Sequence, residues 1–233
     1  MLSFISILAC GPKAPSFTWP SAQINYRIAL EYQGAFNPSG GAQPEMFQAF
    51  VLNLQCQAVP SEKSSTPMSC QMELSSPQSS NLFSGTLELV WKGHKLHKLD
   101  VPTEGTVYTD ILYNALGALE TPNVPAPCED QVFETKTPQK LYRIPQLTGP
   151  SSSRSSHQIS CSDNRILSQT ELTVSAMAAE NTSAPRFSFV GADELILAKD
   201  GLPQSRNTQL TLMSSSTALP PSSITQKIEL TRQ

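Results

Sequence analysis

The segment Ala22–Gln33, with the sequence AQINYRIALEYQ, decides the fold class because large apolar side chains occupy every second position. An alternation with period two places successive side chains on opposite faces of a β-strand. The polar positions include Arg27 and Glu31, and the apolar face consists of Ile24, Tyr26, Ile28, Leu30 and Tyr32. The segment is therefore predicted to be a strand with one buried face and one solvent-exposed face.

Two further segments, Met46–Ala58 and Met68–Leu74, alternate in the same way and predict an antiparallel pair. When the chain folds back at Lys63, Cys56 lies opposite Cys70. The same register joins two apolar pairs, Leu54 with Met72 and Leu52 with Leu74. Because a slip of one residue would turn every side chain to the other face, this agreement predicts a Cys56–Cys70 disulfide.

The remaining chain repeats the strand pattern and contains one helical pattern. In Thr106–Glu120, apolar side chains recur at steps of three and four residues, which predicts an amphipathic helix that ends before Pro122. Alternating segments continue at Leu82–Trp91, Asn164–Met177, Arg186–Lys199, Gln204–Met213 and Ile224–Arg232. We predict a mainly β fold: a strongly curved antiparallel sheet, an open or half β-barrel of about 7–10 strands, with one amphipathic helix packed on it.

Some stretches predict interruptions of the strands. Ser75–Asn81 and Gly149–Ser156 are rich in serine with proline or glycine nearby, and we interpret both as loops. Gly191 lies inside a strand pattern and predicts a bulge or bend. Asp200 and Gly201 predict a hairpin turn.

The composition excludes some classes of function. The chain has 233 residues, a formal net charge of −3 and 15% charged residues, with lysine and arginine scattered singly. The sequence offers no basic patch for nucleic acid and no later apolar run of the ~20 residues that span a membrane. Its abundant serine, threonine and glutamine, together with 19 prolines, are typical of exported proteins.

The candidate sites for catalysis or metal binding are weak. His94 and His97 have the spacing of a metal-binding pair, but the surrounding lysines favour a solvated basic edge. Asp193 and Glu194 could act as an acid–base pair, but carboxylates are usually exposed, which favours turn residues. We predict no catalytic residue, no metal, no cofactor and no enzymatic activity. A cleft with convergent titratable groups would revive the alternative of an enzyme.

The N-terminal stretch Met1–Cys10 (MLSFISILAC) carries a resemblance to a known family. Ile7-Leu8-Ala9-Cys10 resembles the lipobox of bacterial lipoproteins, although no lysine or arginine precedes the apolar run. The resemblance implies a signal peptide at 1–9, lipidation of Cys10, a lipid-anchored tether at 10–20 and a single β-rich domain at 21–233. It places the protein in the bacterial cell envelope, at the outer membrane facing the periplasm, with the membrane as a partner. The alternative is an ordinary first strand with Cys10 as a buried thiol.

The cysteine count agrees with the lipobox. The chain has five cysteines, so lipidation of Cys10 leaves an even set of four. Four cysteines allow three pairings. The register argument favours Cys56–Cys70, and Cys128–Cys161 follows by elimination. Four free thiols in a reducing compartment are the alternative.

The predicted body is similar to the open β-barrel of periplasmic lipoprotein carriers. A helix after strands, followed by a cysteine-stapled segment, also resembles the N-terminal β-barrel module of large lipid-transfer proteins. Both resemblances imply an apolar ligand such as an acyl chain. The apolar face of the predicted sheet is larger than one helix can cover, and from it we predict that a lipid or a hydrophobic segment of a partner binds on the concave face, lined by residues such as Ile28, Leu30, Leu52, Leu54, Leu112 and Leu116. The alternative is a structural or protein-interaction β-sandwich or barrel without a ligand cavity, which a fully packed interior would favour. The ligand and the oligomeric state remain open.

Overall fold

The computed structural model describes residues 22–34, 46–59, 66–92, 95–100, 107–122, 131–138, 151–160, 162–175, 186–215 and 224–233. One helix lies in these ranges, α1 (Val107–Gly117). The strands are β1 (Ile24–Gly34), β2 (Met46–Ala58), β3 (Thr66–Ser76), β4 (Ser79–Lys92), β5 (Lys95–Asp100), β6 (Gln131–Pro138), β7 (Ser151–Ser160), β8 (Arg165–Ser175), β9 (Arg186–Leu197), β10 (Pro203–Ser215) and β11 (Ile224–Arg232).

All of these strands form one antiparallel sheet of eleven strands, with the order β5-β4-β3-β2-β1-β11-β10-β9-β8-β7-β6. The first and last strands pair in the middle, and β5 and β6 form the two edges in the described part of the chain. The sheet is therefore open, as predicted, and has slightly more strands than expected. Its halves, β1–β5 and β6–β11, are each built from consecutive hairpins around the β1–β11 pair.

The register that the sequence predicted between β2 and β3 is confirmed. Cys56 pairs with Cys70 and forms the expected disulfide. The apolar pairs Leu54–Met72 and Leu52–Leu74 follow in the same register. All of these side chains are buried, so the alternation of both strands faces the core.

The helix α1 lies against β1 and β2 and is more enclosed than an amphipathic helix on an open surface. Tyr108 and Tyr113 are half-buried, and the other described side chains, which lie on all sides of the helix, are buried: Thr109, Ile111, Leu112, Asn114, Ala115 and Leu116. Among its described side chains, α1 is therefore buried to a degree typical of the interior of a protein. In the described ranges, no helix has the length and apolar character needed to cross a membrane.

Two stretches predicted as loops are largely strand. The predicted loop Gly149–Ser156 overlaps β7, which pairs with β6 and β8. Polar side chains fit this strand because the ladder satisfies its backbone, and hydroxyl groups of β8 lie within hydrogen-bond distance of Ser155 and His157. Within Ser75–Asn81, β3 continues to Ser76 and β4 begins at Ser79, so two residues suffice for the turn.

Gly191 is not at a bulge, because it pairs in register with Leu210. A Cβ atom at this position would overlap the carbonyl oxygen of Gln209. Glycine is therefore required by a close backbone approach between β9 and β10, the other reason for glycine inside a strand. The predicted turn at Asp200 and Gly201 is present, and Gly201 has a positive φ of 78°.

The disulfide provides a test of the register. Cys56 and Cys70 are 14 positions apart, and closing a loop of that size stabilises a protein by about 3 kcal/mol in the chain-entropy model. We expect the double variant Cys56→Ala, Cys70→Ala to lose roughly this free energy of unfolding in urea titrations. The slope of the unfolding free energy with urea should rise slightly, because the unfolded chain without the crosslink exposes more surface. Equal stability of the two proteins would contradict the disulfide.

Candidate functional site on the inner face

We call the side of the sheet that carries the buried side chains of β1, and that packs against α1, the inner face. Cross-strand pairing places one row of side chains across the inner face, from β7 to β1. In order, the row contains His157, Ser168, Asp193, Thr208, Ile228 and Leu30. Its chemistry changes at β11, where polar side chains give way to apolar ones. We call the inner face of β1–β5 the apolar half and that of β7–β10 the polar half, although buried apolar side chains such as Phe189 and Leu195 also lie in the latter.

The predicted ligand-lining residues lie in the apolar half. Ile28, Leu30, Leu52, Leu54, Leu112 and Leu116 belong to one core cluster, and each is at most 1% exposed. The structure brings all of them together, with the leucines of α1 filling the space over β1 and β2. In this state the apolar half is packed by the protein's own helix, so a ligand there requires α1 to move. Their role in ligand binding remains a prediction.

The polar half contains a buried ion pair of Asp193 and Arg206. Asp193 was interpreted as a turn residue, but it lies inside β9 with its side chain on the inner face, 6% exposed. The Nε and Nη2 atoms of Arg206 donate to its two carboxylate oxygens at 2.8 Å each. Thr208 donates a further hydrogen bond of 2.6 Å to Oδ1. Both oxygens of the Asp193 carboxylate therefore accept hydrogen bonds from within the protein.

The idea of an acid–base pair of Asp193 and Glu194 is not supported by this geometry. Successive residues of a strand point to opposite faces. Glu194 lies on the outer face, where it forms an exposed ion pair with Arg165 at 2.7 Å. The two carboxylates therefore do not share a site.

Neutral hydrogen-bonded pairs extend the polar half towards β7. His157 Nδ1 lies 2.7 Å from the hydroxyl of Ser168, and the hydroxyls of Ser155 and Thr170 are 3.0 Å apart. Burial lowers the pKa of His157, while the negative charge of Asp193 partly opposes that shift. Burial thus favours a neutral imidazole.

The expectation that the protein is not an enzyme remains a prediction.

Arg206 also connects the sheet to the end of α1. Its Nη1 atom donates to the carbonyl oxygens of Ala118 at 3.2 Å and Glu120 at 2.7 Å. Both carbonyls lie in the turn that directly follows α1, where the partial negative charge of the helix C-terminus makes a guanidinium a suitable partner. We call Arg206 and its partners Asp193, Ala118 and Glu120 the helix latch.

Two further hydrogen bonds hold α1. Asn114 Nδ2 donates to the hydroxyl of Tyr32 at 2.8 Å, and the backbone N–H of Leu96 donates to Glu120 Oε1 at 2.8 Å. Burial raises the pKa of Glu120, and the bond from Leu96 and the nearby cations Lys95 and Arg206 oppose that shift. The helix is therefore held to the sheet by side-chain hydrogen bonds at separate points.

Gln226 is a buried residue whose side chain lacks hydrogen-bond partners in the described ranges, as does the hydroxyl of Tyr26. It lies on β11 opposite Tyr32 and Leu210 and is 1% exposed. Neither its Nε2 nor its Oε1 atom forms a hydrogen bond with any group in the described ranges. A buried amide without partners costs about 1–3 kcal/mol of stability. A protein that keeps this group has a position that a ligand's polar group would satisfy.

Several predicted sites lie outside the described residues. These are Cys10, Cys128, Cys161 and His94. His97 lies on β5, and its side chain is not described, whereas the neighbouring Lys92 and Lys95 are exposed. Among the side chains that are described, no three His, Cys, Asp or Glu residues converge in a way that could hold a metal ion.

His157, Arg206 and Gln226 were not predicted as site residues. A signal was present for Gln226, because it continues the alternation of Ile228 and Leu230 on β11. Asp193 similarly shares the face of Leu195. A polar residue at an apolar position of an alternating strand therefore marks this site.

Comparisons with known proteins give no family. No family model and no curated protein matches the sequence at a significant level. A solved structure of lipovitellin, described by its lipid–protein interactions, is 11% identical with a TM-score of 0.48 and covers 92% of this chain. This chain spans only 25% of that lipovitellin chain. A porin variant from Rh. blastica is 6% identical with a TM-score of 0.29, over 91% of this chain and 99% of the porin. With both TM-scores below 0.5, neither comparison establishes a common fold.

Proposed function

We propose that the protein binds a lipid or another amphipathic molecule on its inner face, and that α1 is a displaceable plug over the apolar half. The observation that carries this proposal is the row across the inner face that passes from buried polar side chains on β7 to β10 to the apolar core over β1. Such a surface matches a molecule with an acyl chain and a polar head. Ligand sites are commonly apolar surfaces with a few placed polar groups.

The energies of the exchange support a displaceable plug. Burying one large aliphatic side chain contributes about 1.5–3 kcal/mol, and each buried CH₂ group about 0.8 kcal/mol. The apolar side chains that α1 buries are Ile111, Leu112, Leu116 and the smaller Ala115. On these values they are comparable to an acyl chain of about 7–12 carbons. A lipid chain that replaces α1 would therefore recover similar apolar burial.

Displacement of α1 also requires the helix latch to open. Hydrogen bonds to charged groups contribute about 1.5–3 kcal/mol each. When only a fraction of the protein is competent to bind, the apparent affinity falls by that fraction. A variant of the protein with a weaker helix latch should therefore bind lipid more tightly.

The test is a titration of the purified full chain with 1-monooleoylglycerol, followed by fluorescence displacement and native mass spectrometry. We expect one lipid per chain in the wild type. The variant Arg206→Lys keeps a positive charge but loses the fork that bridges Asp193 and α1. Its apparent affinity should rise about tenfold for every 1.4 kcal/mol lost by the latch.

The matched control is Arg165→Lys, which changes the exposed pair with Glu194 on the outer face. It should leave lipid affinity unchanged. Absence of lipid binding by both the wild type and Arg206→Lys would overturn the proposal. That outcome would favour the alternative, a structural or protein-interaction β domain, which the tight packing around Leu30 and Leu112 favours.

We propose further that the protein is an envelope lipoprotein anchored through Cys10, facing the periplasm from the outer membrane. The support is the lipobox-like sequence Ile7-Leu8-Ala9-Cys10 and the even set of cysteines that remains. An anchor of this kind would hold a lipid-binding body close to a source of lipid.

The anchor predicts a change of compartment. When a bacterial host produces the protein, Cys10→Ala should move it from the membrane fraction to the soluble fraction, because acylation at this position is abolished. Cell fractionation and intact mass, with the added mass of acyl chains on the wild type only, measure this. Unchanged membrane association of the variant would refute the anchor.

A further inference from the structure

We infer that Gln226 selects the head group of the ligand, and that this head group is uncharged and hydrogen-bonding, such as the hydroxyl or ester of an acylglycerol. This inference rests on the proposed function, since it names the ligand class for the same inner face.

Gln226 lies where the two halves of the inner face meet. On its own strand, Ile228 and Leu230 belong to the apolar core. Across one side of β11 its partner is Leu210 on β10, and across the other side its partner is Tyr32 on β1. The hydroxyl of Tyr32 is bonded to Asn114 of α1. A ligand whose chain replaces α1 over β1 and β2 would therefore bring its head next to Gln226.

The side chain offers both a donor and an acceptor. Its Nε2 and Oε1 atoms are buried and make no hydrogen bond with the described part of the chain. Buried polar groups in proteins are paired in the great majority of cases, so this amide is a rare exception. A hydroxyl or ester group, which can accept from Nε2, or in the case of a hydroxyl also donate to Oε1, satisfies it.

The charges around this position exclude an ionic head. Asp193 and Arg206 neutralise each other in a bidentate pair, and Thr208 and the carbonyls of α1 occupy their further bonds. Among the described buried residues of the inner face, the other polar groups are uncharged side chains and His157, whose pKa is lowered by burial. A carboxylate or phosphate placed here would be a buried charge without a counter-ion, which is strongly unfavourable.

The test compares Gln226→Met with the wild type, since methionine has a similar length and shape but no amide. The probes are 1-monooleoylglycerol, oleate at pH 9 and 1-octadecene, measured by fluorescence displacement from the full chain. We expect the wild type to bind the monoacylglycerol at least about tenfold more tightly than the other two, the effect of about one good hydrogen bond. In Gln226→Met this preference should disappear, with binding of 1-octadecene unchanged.

The thermal midpoint of the ligand-free protein is a second measurement. Gln226→Met should raise it by about 2–4 °C, because an unpaired buried amide is removed. The control Gln71→Met makes the same change on the outer face, where Gln71 bonds to Thr86, and should alter neither the preference nor the midpoint.

The outcomes separate the two proposals. Equal binding of the three probes by the wild type, a preference for oleate, or an unchanged preference in Gln226→Met would overturn the inference and leave lipid binding intact. A lower midpoint in Gln226→Met would also overturn it, because the amide would then be bonded within the protein. Absence of binding by all three probes would overturn both proposals.

Discussion

The rest of the structure depends on the buried ion pair of Arg206 and Asp193. A single guanidinium joins β9 and β10 to the end of α1, because it bonds the carboxylate of Asp193 and the carbonyls of Ala118 and Glu120. Two charges can be buried only when good geometry and further hydrogen bonds compensate their desolvation. Thr208 and the helix carbonyls supply those bonds. The position of α1 over the apolar half is thus tied to a charge pair in the polar half.

The ion pair thus lies in the polar half of the inner face and holds the helix that covers the apolar half. On β1, β2 and β3, the apolar residues at every second position form a packed core with α1. The Cys56–Cys70 disulfide joins β2 and β3 in this core. On β7 to β10, buried serine, histidine, threonine and aspartate lie among apolar side chains such as Phe189 and Leu195. Gln226 stands at the boundary without a partner among the described residues. A protein that needed only a stable core would favour apolar residues at these positions, since unpaired polar burial is destabilising.

The sequence predicted the apolar half well and the polar half poorly, for a physical reason. The burial of Ile28, Leu30 and Cys56 can be predicted from nearby sequence, because alternation and a shared register follow from a few neighbouring residues. The environment of Arg206 is set by Ala118, which is 88 positions away in the chain, and no local pattern contains that contact. Asp193 was assigned to a turn because aspartate is usually exposed. Its ion pair with Arg206 instead makes burial inside β9 favourable. Ser155 and its neighbours were predicted to be a loop because the strand pattern requires alternating apolar residues. A strand whose inward side chains are hydroxyl groups that pair with each other does not show that pattern.

The most direct measurement of the central claim, that α1 is a displaceable plug, is amide hydrogen exchange with and without 1-monooleoylglycerol. Exchange reports local opening of each element separately. The account predicts that residues 107–117 exchange faster when lipid is bound, while the amides of β1 and β2 keep their protection. Unchanged or slower exchange in α1, with lipid bound to the protein, would contradict it.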